Sequence, residues 1–153
     1  MSGEASVPQD SQQWTLDLKN DTREMSRMLP WLTQISETES LSEELVHNIN
    51  LVLEELILNT IRYGYPKIDD LAAPSNHWIR IQLQLKNGFW DLEITDDAKE
   101  FNPLGQAAPT KTTRIEDLKT GGFGIHLVRK LSHSVKYLRE NDTNYIMIRF
   151  SQK

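Results

Sequence analysis

The chain contains no cysteine, which excludes disulfide staples, thiolate nucleophiles and cysteine-ligated zinc and suits a reducing cytoplasm. It also lacks any apolar run near the ~20 residues that a membrane-spanning helix requires. Its start, Met-Ser-Gly-Glu-Ala-Ser-Val-Pro-Gln-Asp-Ser, has neither the basic end nor the apolar stretch of a secretory signal. Basic charge is in deficit as well: 17 Lys and Arg against 22 Asp and Glu leave a net charge of −5. Proteins that neutralise phosphates along DNA carry the opposite balance. A cytoplasmic protein that binds neither membrane nor nucleic acid is expected, and any link to transcription has to run through a protein partner.

What is present suits one globular domain. The 153 residues are 38% apolar, enough for a substantial core. Residues 1–11 read as a disordered tail and 12–153 as a single domain without internal repeat or linker. Gln12 to Leu18 alternates, with Trp14, Leu16 and Leu18 on one side, and predicts a half-buried strand. Asp21 and Glu24 form a capping box for a helix to about Ile35, with Met25, Met28, Leu29 and Leu32 inward and Pro30 kinking it or splitting off a turn. Ser40-Leu41-Ser42-Glu43 forms a second capping box, opening a long helix that ends at Gly64 and Pro66. Residues 67–76, with Asp69 and Asp70, form a loop. Trp78 to Leu85 and Phe89 to Thr95 are strands joined by the hairpin signal Asn87-Gly88. Residues 106–120 show no periodicity beyond a turn at 115–118 and predict a mobile flap. A helix over Ile125 to Leu131 follows, then strands Ser134 to Arg139 and Tyr145 to Phe150 around a turn at Glu140–Thr143. Without regular strand–helix alternation, a doubly wound parallel fold is disfavoured. The order predicts an α+β two-layer sandwich: one mixed, mostly antiparallel sheet with helices on one face.

Three short stretches carry the chemistry. Glu55 and Asn59, four apart on the long helix, share one face one turn from each other, while Leu53, Leu56, Ile57 and Ile61 face a core. Standing alone, such a pair is an ordinary solvated helix face. Asp96-Asp97-Ala98-Lys99-Glu100-Phe101-Asn102-Pro103 lies where a buried strand ends, a position at which loops form sites. A carboxylate there can accept a hydrogen bond from the exocyclic amine of adenine and reject guanine, which has a carbonyl at that place; a plain turn aspartate is the alternative. Gly121-Gly122-Phe123-Gly124 precedes a helix, where closely spaced glycines let backbone N–H groups approach a polyphosphate. It has no Lys-Ser/Thr ending of a P-loop, and by itself is no more than a flexible loop.

Together, in order and spacing, the three stretches resemble the ATP-binding boxes of the superfamily shared by DNA gyrase, a heat-shock chaperone, sensor histidine kinases and MutL, and within it the anti-sigma-factor serine kinases. The likeness spans nearly the whole chain, Trp14 to Phe150. It implies a histidine-kinase-like ATPase fold, with ATP and Mg²⁺ as ligands. Carried over by position, it assigns Asn59 to Mg²⁺ and the phosphates, and Glu55 to orienting or deprotonating the attacking hydroxyl. Asp96, Ala98 and Phe101 fall to the adenine side, and Gly122 and Gly124 to the phosphates. An amide oxygen is a suitable neutral Mg²⁺ ligand and a carboxylate one turn away can accept a proton. Lys111 and Arg114 in the flap are solvated cations in this reading, and His47, His77, His126 and His133 surface or satisfied histidines.

Departures from the family pattern are specific. Ala98 stands where the D-x-G glycine is expected; its methyl is harmless at ordinary φ and costs roughly 1 kcal/mol or more if φ is positive. Tyr63 replaces a histidine before a small residue. Ile146-Met147-Ile148 stands for Leu-Thr-Leu, so Met147 is expected to leave the adenine site one polar partner short. The resemblance implies a homodimeric serine/threonine kinase that holds a sigma factor inactive and phosphorylates a serine on a small anti-anti-sigma antagonist. Ala98 and Met147 favour instead an interaction module without catalysis; retained Glu55 and Asn59 oppose it. A stand-alone ATPase is a third reading. A sensor histidine kinase is disfavoured, since about ten residues precede the first strand where an acceptor hairpin is required.

Overall fold

The computed structural model describes residues 12–65, 76–105 and 122–152. The tail, most of the loop around Asp69 and Asp70, and the flap with Lys111 and Arg114 lie outside these. Five strands, β1 (Gln13–Lys19), β2 (Trp78–Lys86), β3 (Phe89–Asp96), β4 (Ser134–Glu140) and β5 (Thr143–Ser151), form one sheet in the order β1-β2-β3-β5-β4. The expected sandwich is present, and all four pairings are antiparallel rather than mixed. Three α-helices, α1 (Met28–Glu39), α2 (Glu43–Tyr63) and α3 (Gly122–Leu131), complete the described fold.

Strand alternation sets the two faces of the sheet. Leu16 and Leu18, Ile79, Ile81 and Leu83, Trp90, Leu92 and Ile94, and Ile146, Ile148 and Phe150 are all buried. The register places Leu16 beside Ile81, Ile81 beside Ile94 and Ile94 beside Ile146, so these side chains line one face across four strands. The helices cover it: α2 buries Leu45, Ile49, Val52, Leu53, Leu56 and Ile57, a stripe at helical spacing, and α1 adds Met28, Leu32 and Ile35. Leu29, expected inward, is 48% exposed, because it falls between the core-facing positions of α1. The opposite face is polar and open, with Arg80 on Asp17 and Arg149 on Asp91, each at 2.7 Å. Its concavity of about 310 Å³, among Gln84, Glu93 and Lys136, is the larger of the two cavities described, yet it contains none of the three motif stretches.

Local signals explain the turns. Asn87 and Gly88 have φ of 53° and 80°, and Asn141 and Asp142 have 51° and 59°. Two successive positive φ values are what a two-residue hairpin loop matching strand twist demands. Pro30 lies in the first turn of α1, where a missing N–H costs little, and a 3₁₀ turn over Thr22–Arg27 precedes it. The two capping boxes differ from expectation. Glu24 Oε1 accepts from Lys19 N–H at 3.1 Å, not from the N-cap Asp21. Ser40 is the left-handed C-cap of α1, and it is Ser42 that caps α2, its Oγ accepting from Leu45 N–H at 3.1 Å. The serine two residues later wins because Ser40 is still needed to close α1.

Gly64 ends α2 at φ −82°, an ordinary right-handed value. Its need for glycine is therefore spatial. A Cβ there would lie 2.6 Å from the Thr60 carbonyl oxygen and 2.7 Å from the Ala98 methyl. Gly64→Ala is expected to lower stability by about 1–3 kcal/mol through overpacking, measurable by denaturant unfolding, whereas Gly64→Ala combined with Ala98→Gly should recover part of that loss.

Candidate functional site

The C-terminal end of α2 and the last residues of β3 meet where the sheet's covered face runs out of apolar side chains. Asp96 continues the inward row of Trp90, Leu92 and Ile94, and Asn144, its register partner on β5, continues the row of Ile146, Ile148 and Phe150. Both are buried, at 2% and 3% exposure. Buried polar groups require partners, and these have them. Asp96 Oδ1 accepts from Ala98 N–H at 3.0 Å and from Asn144 Nδ2 at 2.9 Å. Asn144 Nδ2 also donates to the Lys99 carbonyl at 2.8 Å, and its Oδ1 accepts from the Tyr137 hydroxyl at 2.6 Å. Arg139 donates to the Ala98 carbonyl at 2.8 Å, and Lys99 N–H to the Gly64 carbonyl at 3.0 Å. The turn after β3 is thus tied to α2, β4 and β5 at once.

A cleft opens beside this knot, lined by Asn59, Thr60 and Gly64 of the α2 end, Asp96, Ala98, Lys99 and Phe101 of the turn, and Asn144 and Ile146 of β5. Four expected site residues, Asn59, Asp96, Ala98 and Phe101, therefore share one cavity. Its volume is about 20 Å³. Two polar groups in it have no partner among the described residues. Both hydrogen bonds that Asp96 accepts from described residues end on Oδ1, leaving Oδ2 as an acceptor among them. Asn59, 9% exposed as a whole residue, has no hydrogen-bond partner among the described residues; no buried polar side-chain atom there is left unsatisfied, so its amide reaches solvent in the cleft and is open to a ligand.

Glu55 lies one turn earlier on the same face of α2, half-buried, with no ion pair or hydrogen bond among the described residues, and it does not line the cleft. Gly122 and Gly124 form the first turn of α3 rather than the loop ahead of it, and α3 packs against α2. Their backbone N–H groups at a helix start are unsatisfied within the helix, which is what an anion requires.

Two of the three departures from the family pattern, Ala98 and Met147, lose their weight here. Among the described residues, positive φ at non-glycine positions is confined to Ser40, Asn87, Asn141 and Asp142, so Ala98 carries no left-handed strain; its methyl is accommodated by the missing side chain at Gly64. Met147 pairs with Glu93 on the open face of the sheet, opposite to Asp96. The expectation placed Met147 beside Asp96, and strand alternation turns it away; the polar side chain that stands beside Asp96 is Asn144. The signal for Asn144 was available: counting back by twos from Phe150 through Ile148 and Ile146 puts a polar residue on the core face.

A second cluster braces the site from outside. Asp97 Oδ1 accepts from Trp78 N–H at 3.1 Å and from the Tyr65 hydroxyl at 2.8 Å, and its Oδ2 lies 3.0 Å from His77 Nδ1. The Tyr65 and His77 rings pack at 4.6 Å between centroids. His77 is thus satisfied, as expected, and His47, His126 and His133 are exposed. Burial raises the Tyr65 hydroxyl far above its ordinary pKa.

The two adjacent carboxyls are pushed apart. Burial dominates at Asp96 and raises it, against the Asn144 and Ala98 donors that lower it. At Asp97 partial burial also raises, but donors from Trp78, His77 and Tyr65 together outweigh it, and the net shift is downward from 3.8. The linkage signs are therefore opposite. Asp97 contributes stability that is complete above its unfolded value and lost as pH falls through its depressed folded value. Asp96 contributes stability present below its unfolded value and lost as pH rises through its raised folded value. Asp97→Asn is expected to lower stability at pH 7 and flatten its decline below about pH 4, read from urea midpoints at pH 2.5, 4 and 7.

Comparison with known proteins follows the same outline. Residues 18–150 match the family described as histidine kinase-like ATPase domain. The serine/threonine-protein kinase BtrW of Bordetella bronchiseptica is 22% identical over 134 residues, covering 88% of this chain and 90% of that protein. Among solved structures, the RsbU and RsbW domains of a Mycobacterium tuberculosis protein superpose with a TM-score of 0.63 at 11% identity, over 92% of this chain and 32% of that one. A blue-light activated histidine kinase of Erythrobacter litoralis superposes with a TM-score of 0.54 at 12% identity, over 85% of this chain and 41% of that one. This chain thus spans less than half the length of either solved chain.

Proposed function

The chain belongs to the histidine kinase-like ATPase domain family, and on that premise we propose that it is an ATP-dependent serine/threonine protein kinase of the anti-sigma-factor type. It acts on transcription through protein partners, a sigma factor and a small anti-anti-sigma antagonist, as a homodimer in the cytoplasm. One observation carries the nucleotide part of this reading. Asp96, buried and held by two donors on Oδ1, has an Oδ2 without a partner among the described residues and lines the same cleft as Asn59, whose solvent-reaching amide also has none. Likeness to the serine/threonine-protein kinase BtrW over most of both chains supports the kinase part. No helix among the described residues is long and apolar enough to cross a membrane.

The chain's own groups fit Mg-ATP in character. Asp96 Oδ2 accepts the 6-amino group of adenine, which a 6-oxo purine cannot donate. Ala98 and Phe101 flank the ring as apolar walls. Asn59 Oδ1 is a neutral oxygen ligand suited to Mg²⁺, and the N–H groups of the first turn of α3, at Gly122 and Gly124, suit phosphate oxygens. Bound there, Mg-ATP supplies the transferable phosphoryl group and the charge neutralisation such transfer depends on. Glu55 holds or accepts the proton of the attacking serine hydroxyl; its lack of an ion-pair partner among the described residues leaves it free to do so. The reading as a non-catalytic interaction module rested on Ala98 and Met147, and neither burdens the cleft. Incubation with labelled ATP, Mg²⁺ and the candidate antagonist tests the kinase reading: label on a serine of the antagonist is expected, and label on neither protein with nucleotide bound would return the chain to the interaction module.

A further inference from the structure

We propose that Asn144, locked by Tyr137, is a positioning residue that sets purine selectivity by fixing which oxygen of Asp96 faces the cleft. The inference rests on the nucleotide reading above and adds a residue outside the three motif stretches. The orientation of the Asn144 amide is determined by its surroundings. Nδ2 meets only acceptors: Asp96 Oδ1 at 2.9 Å, the Lys99 carbonyl at 2.8 Å and the Ala98 carbonyl at 3.4 Å. The other end meets a donor, the Tyr137 hydroxyl at 2.6 Å. Turning the amide over would set its oxygen against three oxygens, so only one orientation is satisfied.

That orientation decides the state of Asp96. Its Oδ1 takes the Ala98 N–H and an Asn144 N–H, which fills the usual acceptor capacity of one oxygen. Oδ2 is then the oxygen left for a purine edge. The two donors also favour the ionised carboxylate that burial opposes, and only an ionised Asp96 is purely an acceptor. A protonated Asp96 could donate to the 6-oxo group of guanine, so the same amide that orients the carboxylate also keeps it discriminating. The other charged or titratable groups around Asp96 are Asp97 and Lys99 from its own turn, Arg139 and Tyr137 from β4, and Tyr65 just past the end of α2; α2 itself presents the neutral Asn59 and Thr60 to the cleft.

Asn144→Leu keeps approximate size and removes both donors. In the folded variant, calorimetric titration at pH 7 should show the ratio of ATP to GTP affinity reduced by about tenfold or more, the worth of a hydrogen bond to a charged group. ATP binding should also be lost at higher pH on acidification than in the wild type, since Asp96 protonates more readily. Asn144→Thr, with one hydroxyl donor, should recover part of the ratio. A folded Asn144→Leu with wild-type selectivity and wild-type pH profile overturns the inference and makes Asn144 a purely structural residue. Should Asn144→Leu not fold, Tyr137→Phe removes the hydroxyl, with its hydrogen bonds to Asn144 Oδ1 and to the Phe101 backbone, from a half-buried ring. It is expected to lower the ATP to GTP ratio severalfold, and an unchanged ratio overturns the inference. Failure of the wild type to bind any purine nucleotide overturns the reading beneath it and the inference with it, a result distinct from selective binding that ignores Asn144.

Discussion

Asp96→Asn is expected to abolish adenine recognition while leaving the fold intact. The substituted amide can keep its oxygen on the Ala98 and Asn144 donors, which places its NH₂ group where Oδ2 faced the cleft. An N–H donor then opposes the 6-amino group of adenine. Loss of a hydrogen bond to a charged group is worth about 1.5–3 kcal/mol, and the donor–donor conflict adds to it. ATP affinity should fall by about a hundredfold or more, and GTP, with a 6-oxo acceptor, should gain relative to ATP. Stability should move the other way. Because burial raises Asp96, its ionised form costs folding free energy at neutral pH, and the uncharged amide removes that cost. A variant that melts no lower than wild type and has exchanged its purine preference would separate recognition from structure. Equal loss of both nucleotides with a lower melting temperature would assign Asp96 to the fold alone.

The second large effect belongs to α2. Glu55→Gln is expected to keep ATP affinity within about threefold and to lose about 10²–10⁴-fold in phosphoryl transfer, the usual worth of general-base assistance. Asn59→Ala should lose more broadly. Removing a ligand of the metal costs at least the ~10–100-fold that loss of an outer-shell partner does, so Mg²⁺-dependent affinity and transfer should fall together. Neither change should unfold the protein: Glu55 is only half-buried and Asn59 gives up no hydrogen bond to a described residue. Single-turnover transfer beside equilibrium binding distinguishes the two. Unchanged transfer in Glu55→Gln would remove that residue from the chemistry, consistent with its lying outside the lining of the cleft.

Much of this arrangement was legible in the chain because local and tertiary signals agree. Asn87-Gly88 specifies a hairpin wherever it occurs, and β2 and β3 fill that hairpin with alternating residues whose apolar set is buried. The stripe from Leu45 to Ile57 predicts a covered helix, and α2 is one. Asp96 at the end of a buried strand was readable for the same reason.

What was missed involved competition between neighbours or counting across a turn. Two serines, Ser40 and Ser42, both look like caps, and only the packing of α1 decides that the first closes one helix and the second opens the next. Met147 drew attention by position in a motif, but a strand side chain one residue from its expected partner points to the opposite face. Asn144 stayed hidden because the last strand was begun at Tyr145, whereas β5 starts at Thr143 and includes it. The contact of Ala98 with Gly64 joins residues from two elements, and no spacing rule within one segment reveals it.

The central claim is that the cleft between Asn59 and Asp96 is an adenine-selective site for Mg-ATP. Calorimetric titration of the full chain with ATP, ADP and GTP, with and without Mg²⁺, in wild type and Asp96→Asn, tests it most directly. The account predicts Mg²⁺-enhanced binding of ATP in the wild type, weaker GTP binding, and loss of that preference in the variant. Absence of binding at millimolar nucleotide, or equal binding of ATP and GTP untouched by Asp96→Asn, would contradict it.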